Sequence, residues 1–129
     1  MNVIVDNLDI HYELKGRGRL LLLLHGWGDD YHTYAGLMSE LEHSYQLLAL
    51  DLPGFGGSEP PKQSWNLDNY AELTAHFMAK LGLDPIYAII GHSNGGALAI
   101  RALATGVLKA NKLVLLASAG VRKWSLYRL

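Results

Sequence analysis

Five consecutive leucines, Leu20 to Leu24, constrain this chain more than any other stretch. Side chains alternate in direction along a strand, so these leucines would face both sides of a sheet. Both sides must then be covered, as for an interior strand of a parallel sheet with helices above and below. The run is too short to cross a bilayer, which takes about twenty residues. The chain has material for such covers: 129 residues, 50% apolar and 18% charged. That composition suits one globular domain with a real core.

The flanking pattern agrees. Leu8, Ile10, Tyr12 and Leu14 alternate with polar residues, which predicts a strand with one wet face. Met1 to Val5 is a short β-branched run before it, and KGRGR (15 to 19) reads as a turn. Tyr34, Leu37, Met38 and Leu41 recur at helical spacing. Tyr45 to Leu50 is a second buried strand, followed by the Gly- and Pro-dense loop DLPGFGGSEPPK (51 to 62). Asn66 caps a helix that Gly82 stops, with Tyr70, Thr74, Phe77 and Leu81 inward. Ile86 to Ile90 is a strand, Ser93 to about Thr105 a helix, and Lys112 to Ala117 the last strand. Strand and helix alternate from Leu20 on. The expected fold is α/β: an open, mostly parallel sheet with helices on both faces. No internal repeat or linker divides it.

Several function classes are disfavoured. A formal net charge of −1 argues against a nucleic-acid-binding surface. The absence of cysteine removes disulfides, thiolate metal sites and a cysteine nucleophile. Nothing calls for a metal or an organic cofactor. The N-terminus has no basic segment followed by a long apolar one, so no signal peptide is visible and a cytoplasmic location is the expectation.

The chemistry centres on GHSNGG (91 to 96). Gly91, Ser93 and Gly95 fit G-x-S-x-G between a strand and a helix. A serine on such a turn lifts its hydroxyl clear of the sheet, and glycine on either side relieves the crowding. The helix N-terminus adds N–H groups and positive potential nearby. The plainer reading is a glycine-rich strand-to-helix turn that happens to contain serine.

Two further stretches bear on that choice. HGWG (25 to 28) follows the leucine strand, and DLPGFGGS (51 to 58) follows the next one. In order and spacing the three motifs resemble the N-terminal half of an α/β-hydrolase, in the branch of esterases, carbon–carbon bond hydrolases and haloperoxidase-like enzymes. The resemblance covers about Leu8 to Gly120. It implies about six strands in the order 1-2-4-3-5-6, the first antiparallel. It implies Ser93 as nucleophile, with the main-chain N–H groups of Trp27 and Asn94 as the oxyanion hole. Trp27 also reads as a hydrophobic anchor. His25 and His92 are expected to be structural, Asp51 to brace its turn, and Asp29, Asp30 and His32 to be solvated near the active edge.

The pattern then breaks. In this fold a carboxylate and a histidine follow the serine. After Ser93 the sequence contains no His, Asp or Glu, and the tail VRKWSLYRL (121 to 129) supplies neither. The expectation is a single domain, 1–129, lacking the last strands and lid of the family, either as a fragment or with the missing groups supplied by another chain. Two functions stay open: a serine hydrolase acting on a small ester-like substrate, or a catalytically silent binding or assembly module. Leu113 to Leu116 are apolar on both faces of an unguarded edge, which points to a homodimer through the C-terminal strand, helped by Trp124, Leu126 and Leu129.

Overall fold

The computed structural model describes residues 1–119. The tail residues Trp124, Leu126 and Leu129 lie outside that range. In chain order the elements are β1 (Asn2–Val5), β2 (Leu8–Gly16), β3 (Arg19–Leu24), α1 (Ala35–Leu41), β4 (Tyr45–Leu50), α2 (Leu67–Leu81), β5 (Ile86–His92), α3 (Asn94–Ala104) and β6 (Ala110–Leu116). A 3-10 turn, Tyr31–Tyr34, precedes α1.

One six-stranded sheet runs β1-β2-β4-β3-β5-β6. β3, β4, β5 and β6 pair in parallel, whereas β2 is antiparallel to both β1 and β4. The first strand therefore has the expected antiparallel pairing, but the strand that runs against all the rest is β2. Its length explains this. β2 continues into KGRGR as far as Gly16, which pairs with Gln46, and only Arg17 and Gly18 remain as the turn into β3.

β3 lies at the centre, and its leucines split between two cores. Leu20, Leu22 and Leu24 pack with Phe77, Leu73, Leu98, Ala99 and Ala102 of α2 and α3. Leu21 and Leu23 pack with Met38 of α1, Tyr34, Leu47 and Ile90. Helices thus cover both faces, as the leucine run requires.

α2 has the predicted cap. The Asn66 side chain accepts from the N–H of Asn69, and the Asn69 side chain accepts from the N–H of Asn66. Each such bond satisfies a donor that the first turn would leave free. The buried stripe of α2 is Ala71, Leu73, Thr74, Phe77 and Met78, with Tyr70 and Leu81 at its half-buried margin.

β6 is the outer strand of the parallel side. Leu113, Val114 and Leu116 are exposed, at 37–43%. Among the described residues no helix is long and apolar enough to cross a membrane.

Candidate active site

Strand direction gathers the three sequence motifs at one edge. β3, β4 and β5 end there and continue into HGWG, DLPGFGGS and the Ser93 turn. Tyr34 fastens two of these ends together. Its hydroxyl lies 2.9 Å from the carbonyl oxygen of Leu24 and 3.2 Å from that of Ile90. Burial pushes the phenol well above its ordinary range, so it stays a neutral donor. The sequence shows Tyr34 only as one apolar position of a helical pattern. Its partners lie 10 and 56 residues away, and no local signal marks them.

Ser93 sits between β5 and α3 with φ 53° and ψ −120°. Non-glycine residues rarely adopt this conformation, which costs of order 1–3 kcal/mol and persists only where the surroundings impose it. Here the Ser93 N–H donates to Leu116 O at 3.1 Å, and Ser93 O accepts from Gly96 N–H at 3.0 Å and Ala119 N–H at 2.9 Å. The hydroxyl makes no capping bond to α3.

Two glycines permit this turn. A Cβ on Gly95 would fall on the carbonyl oxygens of Leu24 and His25, and one on Gly91 would come 2.6 Å from Gly96 Cα. The motif glycines are therefore required by the approach of α3 to β3 and β5.

The HGWG loop meets the turn directly. A Cβ placed on Gly26 would lie 3.0 Å from Ser93 Cβ, so the residue that precedes Trp27 lies against the serine. His25 is fully buried. Its Nδ1 bonds to Gly26 O at 2.7 Å, and its Nε2 accepts from Leu52 N–H at 2.9 Å. A carbonyl can only accept, so Nδ1 carries the proton and the ring is neutral. Both nitrogens are occupied in joining the first two loops, in keeping with a structural histidine. Burial is the main influence on its pKa and lowers it, against the opposing pull of the Gly26 carbonyl.

Asp51 braces the second loop as the motif implied. It is 1% exposed; Oδ1 accepts from Tyr31 N–H at 2.8 Å, and Oδ2 from Gly57 N–H at 2.9 Å. Ser58 Oγ donates to Asp51 O at 2.6 Å.

Of the other predicted residues, Asn94 opens α3 beside Ser93, and His92 closes β5. His92 Nδ1 is buried without a hydrogen-bond partner, 3.8 Å from the Asp29 carboxylate. Asp29 is thus drawn to the turn, whereas Asp30 turns aside to cap the 3-10 turn and holds His32 at 2.8 Å. That bond and the His32 N–H keep the Asp30 carboxyl below its usual range. His11 and His76 pair with Glu13 and Asp6. Among the described residues none of these histidines bonds to the serine hydroxyl, and no cluster of three or more His, Asp or Glu could hold a metal ion.

Aromatic side chains gather beside the turn. Trp27 stacks on Phe55 at 5.2 Å with an 8° interplanar angle and meets Tyr70 at 5.0 Å. Phe55 also touches the edge of His25, and Tyr70 meets Trp65. The sequence identifies Trp27 alone, because the others lie on separate segments.

Two measurements test this geometry. If Ser93 is strained, Ser93→Gly should be about 1 kcal/mol more stable than Ser93→Ala, because the relieved strain exceeds the entropy cost of glycine. Thermal melts giving the two variants equal stability would disprove the strain. For His25, the folded-state pKa is lowered from 6.5. Between the two values the unfolded chain binds the extra proton, so this residue's contribution is complete above pH 6.5 and is lost as pH falls below it. The melting temperature of wild type should therefore fall more between pH 7 and pH 5.5 than that of His25→Gln. Parallel curves would show that burial of this ring carries no pH dependence.

Comparison with known proteins places this arrangement. A family model described as alpha/beta hydrolase fold matches residues 19–128. A pimeloyl-[acyl-carrier protein] methyl ester esterase from Nitrosomonas europaea is 33% identical over 109 residues, 84% of this chain and 41% of the esterase. A soluble epoxide hydrolase from Corynebacterium sp. is 30% identical over 95 residues, 74% of this chain and 33% of the enzyme. The crystal structure of a membrane phospholipase A, described as a bacterial virulence factor, superposes with a TM-score of 0.87 at 36% identity, over 95% of this chain and 41% of that one. The chain thus spans 33–41% of the length of these relatives. Together with the sheet order and the three motifs at one edge, the match over residues 19–128 shows that the chain belongs to the alpha/beta hydrolase fold family.

Proposed function

We propose that the chain carries the nucleophile and oxyanion hole of a serine hydrolase acting on esters or similar carbonyl compounds. The observation behind this reading is the strained Ser93, held at a strand-to-helix turn with its hydroxyl not used to cap α3. Ser93 Oγ attacks the carbonyl carbon, and the hydroxyl proton leaves to a general base. The carbonyl π electrons move to oxygen, where the N–H groups of Trp27 and Asn94 stabilise the oxyanion. Collapse expels the alcohol, which takes up the proton, and leaves an acyl-serine. Water then attacks with help from the same base, releasing the acid and restoring the hydroxyl. The base and the carboxylate that orients it come from outside these 129 residues.

A second reading is a catalytically silent binding or assembly module. It is favoured by the histidines: both ring nitrogens of His25 are engaged in structure, and among the described residues no histidine bonds to the Ser93 hydroxyl. Reactivity at Ser93 separates the two. A fluorophosphonate probe should label Ser93 slowly, and Ser93→Ala should remove the label. Turnover of p-nitrophenyl acetate should fall well short of the ~1–10³ s⁻¹ normal for enzymes, since loss of triad members leaves only a residual ~10³–10⁴-fold over water. Labelling unchanged in Ser93→Ala would sink the hydrolase reading. Full turnover would show that a base within the chain completes the site.

We also propose that copies associate through β6, whose Leu113, Val114 and Leu116 are exposed. Sedimentation at micromolar concentration should give a species above 14.2 kDa that Leu115→Lys dissociates. A 14.2 kDa monomer unaffected by that change would exclude association.

A further inference from the structure

We propose that Trp27, Phe55 and Tyr70 form a platform for a flat aromatic acyl group, so that the preferred substrates are uncharged aryl-carboxylic esters. This deepens the hydrolase reading and rests on it.

The starting point is an exposed tryptophan at the proposed centre of chemistry. Trp27 is 39% exposed. Its position is fixed from several sides. The ring stacks on Phe55 at 5.2 Å, nearly parallel, and Phe55 is supported by the edge of the buried His25 at 5.6 Å. Tyr70 lies 5.0 Å from the same indole; its hydroxyl donates to Pro53 O at 3.2 Å and its ring rests against Trp65. The indole is therefore a pre-positioned surface, which binds at little ordering cost.

The chemistry joins this surface to the serine. In the hydrolase reading the main-chain N–H of Trp27 holds the substrate's carbonyl oxygen, at an ordinary hydrogen-bond distance of ~2.9 Å. A ring on the carbonyl carbon begins only two bonds from that oxygen. Aromatic rings attract one another at a spacing of ~4.5–7 Å, and the proposal places the acyl ring at that spacing from the indole. One residue would thus bind the carbonyl with its main chain and the acyl ring with its side chain. An aliphatic group of the same size gains contact area but not the ring–ring attraction.

Charge narrows the class further. A Cβ on Gly26 would lie 3.4 Å from Asp29 Oδ2 and 3.0 Å from Ser93 Cβ, so a carboxylate sits at the mouth of the site. It disfavours an acyl group bearing negative charge of its own.

Ester binding to the whole chain tests this without turnover. The backbone N–H signals of Trp27 and Asn94 and the indole N–H of Trp27 are followed by NMR. The titrants are methyl benzoate, methyl cyclohexanecarboxylate and the monoanion of monomethyl terephthalate. Methyl benzoate should bind about two- to ten-fold tighter than the cyclohexane ester, shifting the indole together with the two amides. The anion should bind more weakly than methyl benzoate. Trp27→Leu should bring the affinities of the two neutral esters together, and Trp27→Phe should restore the preference. Equal affinities in wild type, an indole signal that does not move, a preference that survives Trp27→Leu, or tighter binding of the anion would each overturn the platform. If no ester moves the Trp27 and Asn94 amides, the oxyanion-hole reading fails and takes the platform with it. If both neutral esters move them equally, only the platform fails.

Discussion

The structure depends on covering both faces of β3. With leucine at every position from 20 to 24, neither face of that strand tolerates water. Parallel neighbours on either edge and helices above and below are the arrangement that satisfies it. Parallel strands need crossovers, and crossovers return the chain to the same end of the sheet each time. The ends of β3, β4 and β5 are consequently neighbours, and the loops that leave them meet. The juxtaposition of HGWG, DLPGFGGS and GHSNGG is thus a result of burying leucine. The chemistry proposed for the chain lies at an edge that packing has already assembled.

Packing at that edge is also what prepares the serine. Gly95 lets α3 approach the carbonyls of Leu24 and His25 more closely than a side chain would permit. That approach, with the bonds from Ser93 to Leu116 and Ala119, holds a conformation the serine would not otherwise adopt. His25 ties the first loop to the second through Leu52, and Asp51 ties the second to the segment carrying Tyr31. His25 and Asp51 are buried, and both polar atoms of each side chain are hydrogen-bonded, which joins the loops to one another. A constellation of donors fixed before substrate arrives has no reorganisation to undergo during reaction.

The sheet, its order and the cap at Asn66 were legible because each has a local signature: a leucine run, an alternation, an asparagine before a helical stripe. The elbow was legible because glycine at 91 and 95 is a steric requirement that sequence records directly. What stayed hidden are relations between distant segments. The 3-10 turn at Tyr31–Tyr34 depends on Asp30 capping it and on Asp51 accepting from Tyr31 N–H, and the sequence showed there only a helical pattern from Tyr34. The end of β2 extended into a stretch rich in glycine and arginine because Gln46 was available to pair with Gly16. Tyr34 as a clasp and Phe55 and Tyr70 as neighbours of Trp27 needed the fold before they could be seen. Asp29 is exposed, as it read, and nothing in the sequence signals that the approach of its loop to β5 also brings its carboxylate to 3.8 Å from His92 Nδ1.

A consequence follows for the division of labour within the site. The proposed oxyanion donors are main-chain groups, so the side chains of Trp27 and Asn94 are free to vary without touching that function. At Asn94 the helix start limits what can be there, but at Trp27 the side chain is released toward the aromatic cluster. Fixed main-chain chemistry with a variable side chain on the same residue is one way a single fold can serve many substrates. In the proposed reaction the backbone sets where the carbonyl oxygen lies, and the indole selects what the carbonyl carbon bears. Proton transfer has the opposite character. It requires a side chain within hydrogen-bond reach of Ser93 Oγ; both ring nitrogens of His25 are engaged elsewhere, and among the described residues no histidine bonds to that hydroxyl. In the proposed reaction, then, electrostatic stabilisation draws on main-chain groups that packing positions, whereas proton transfer needs a side chain placed for that purpose.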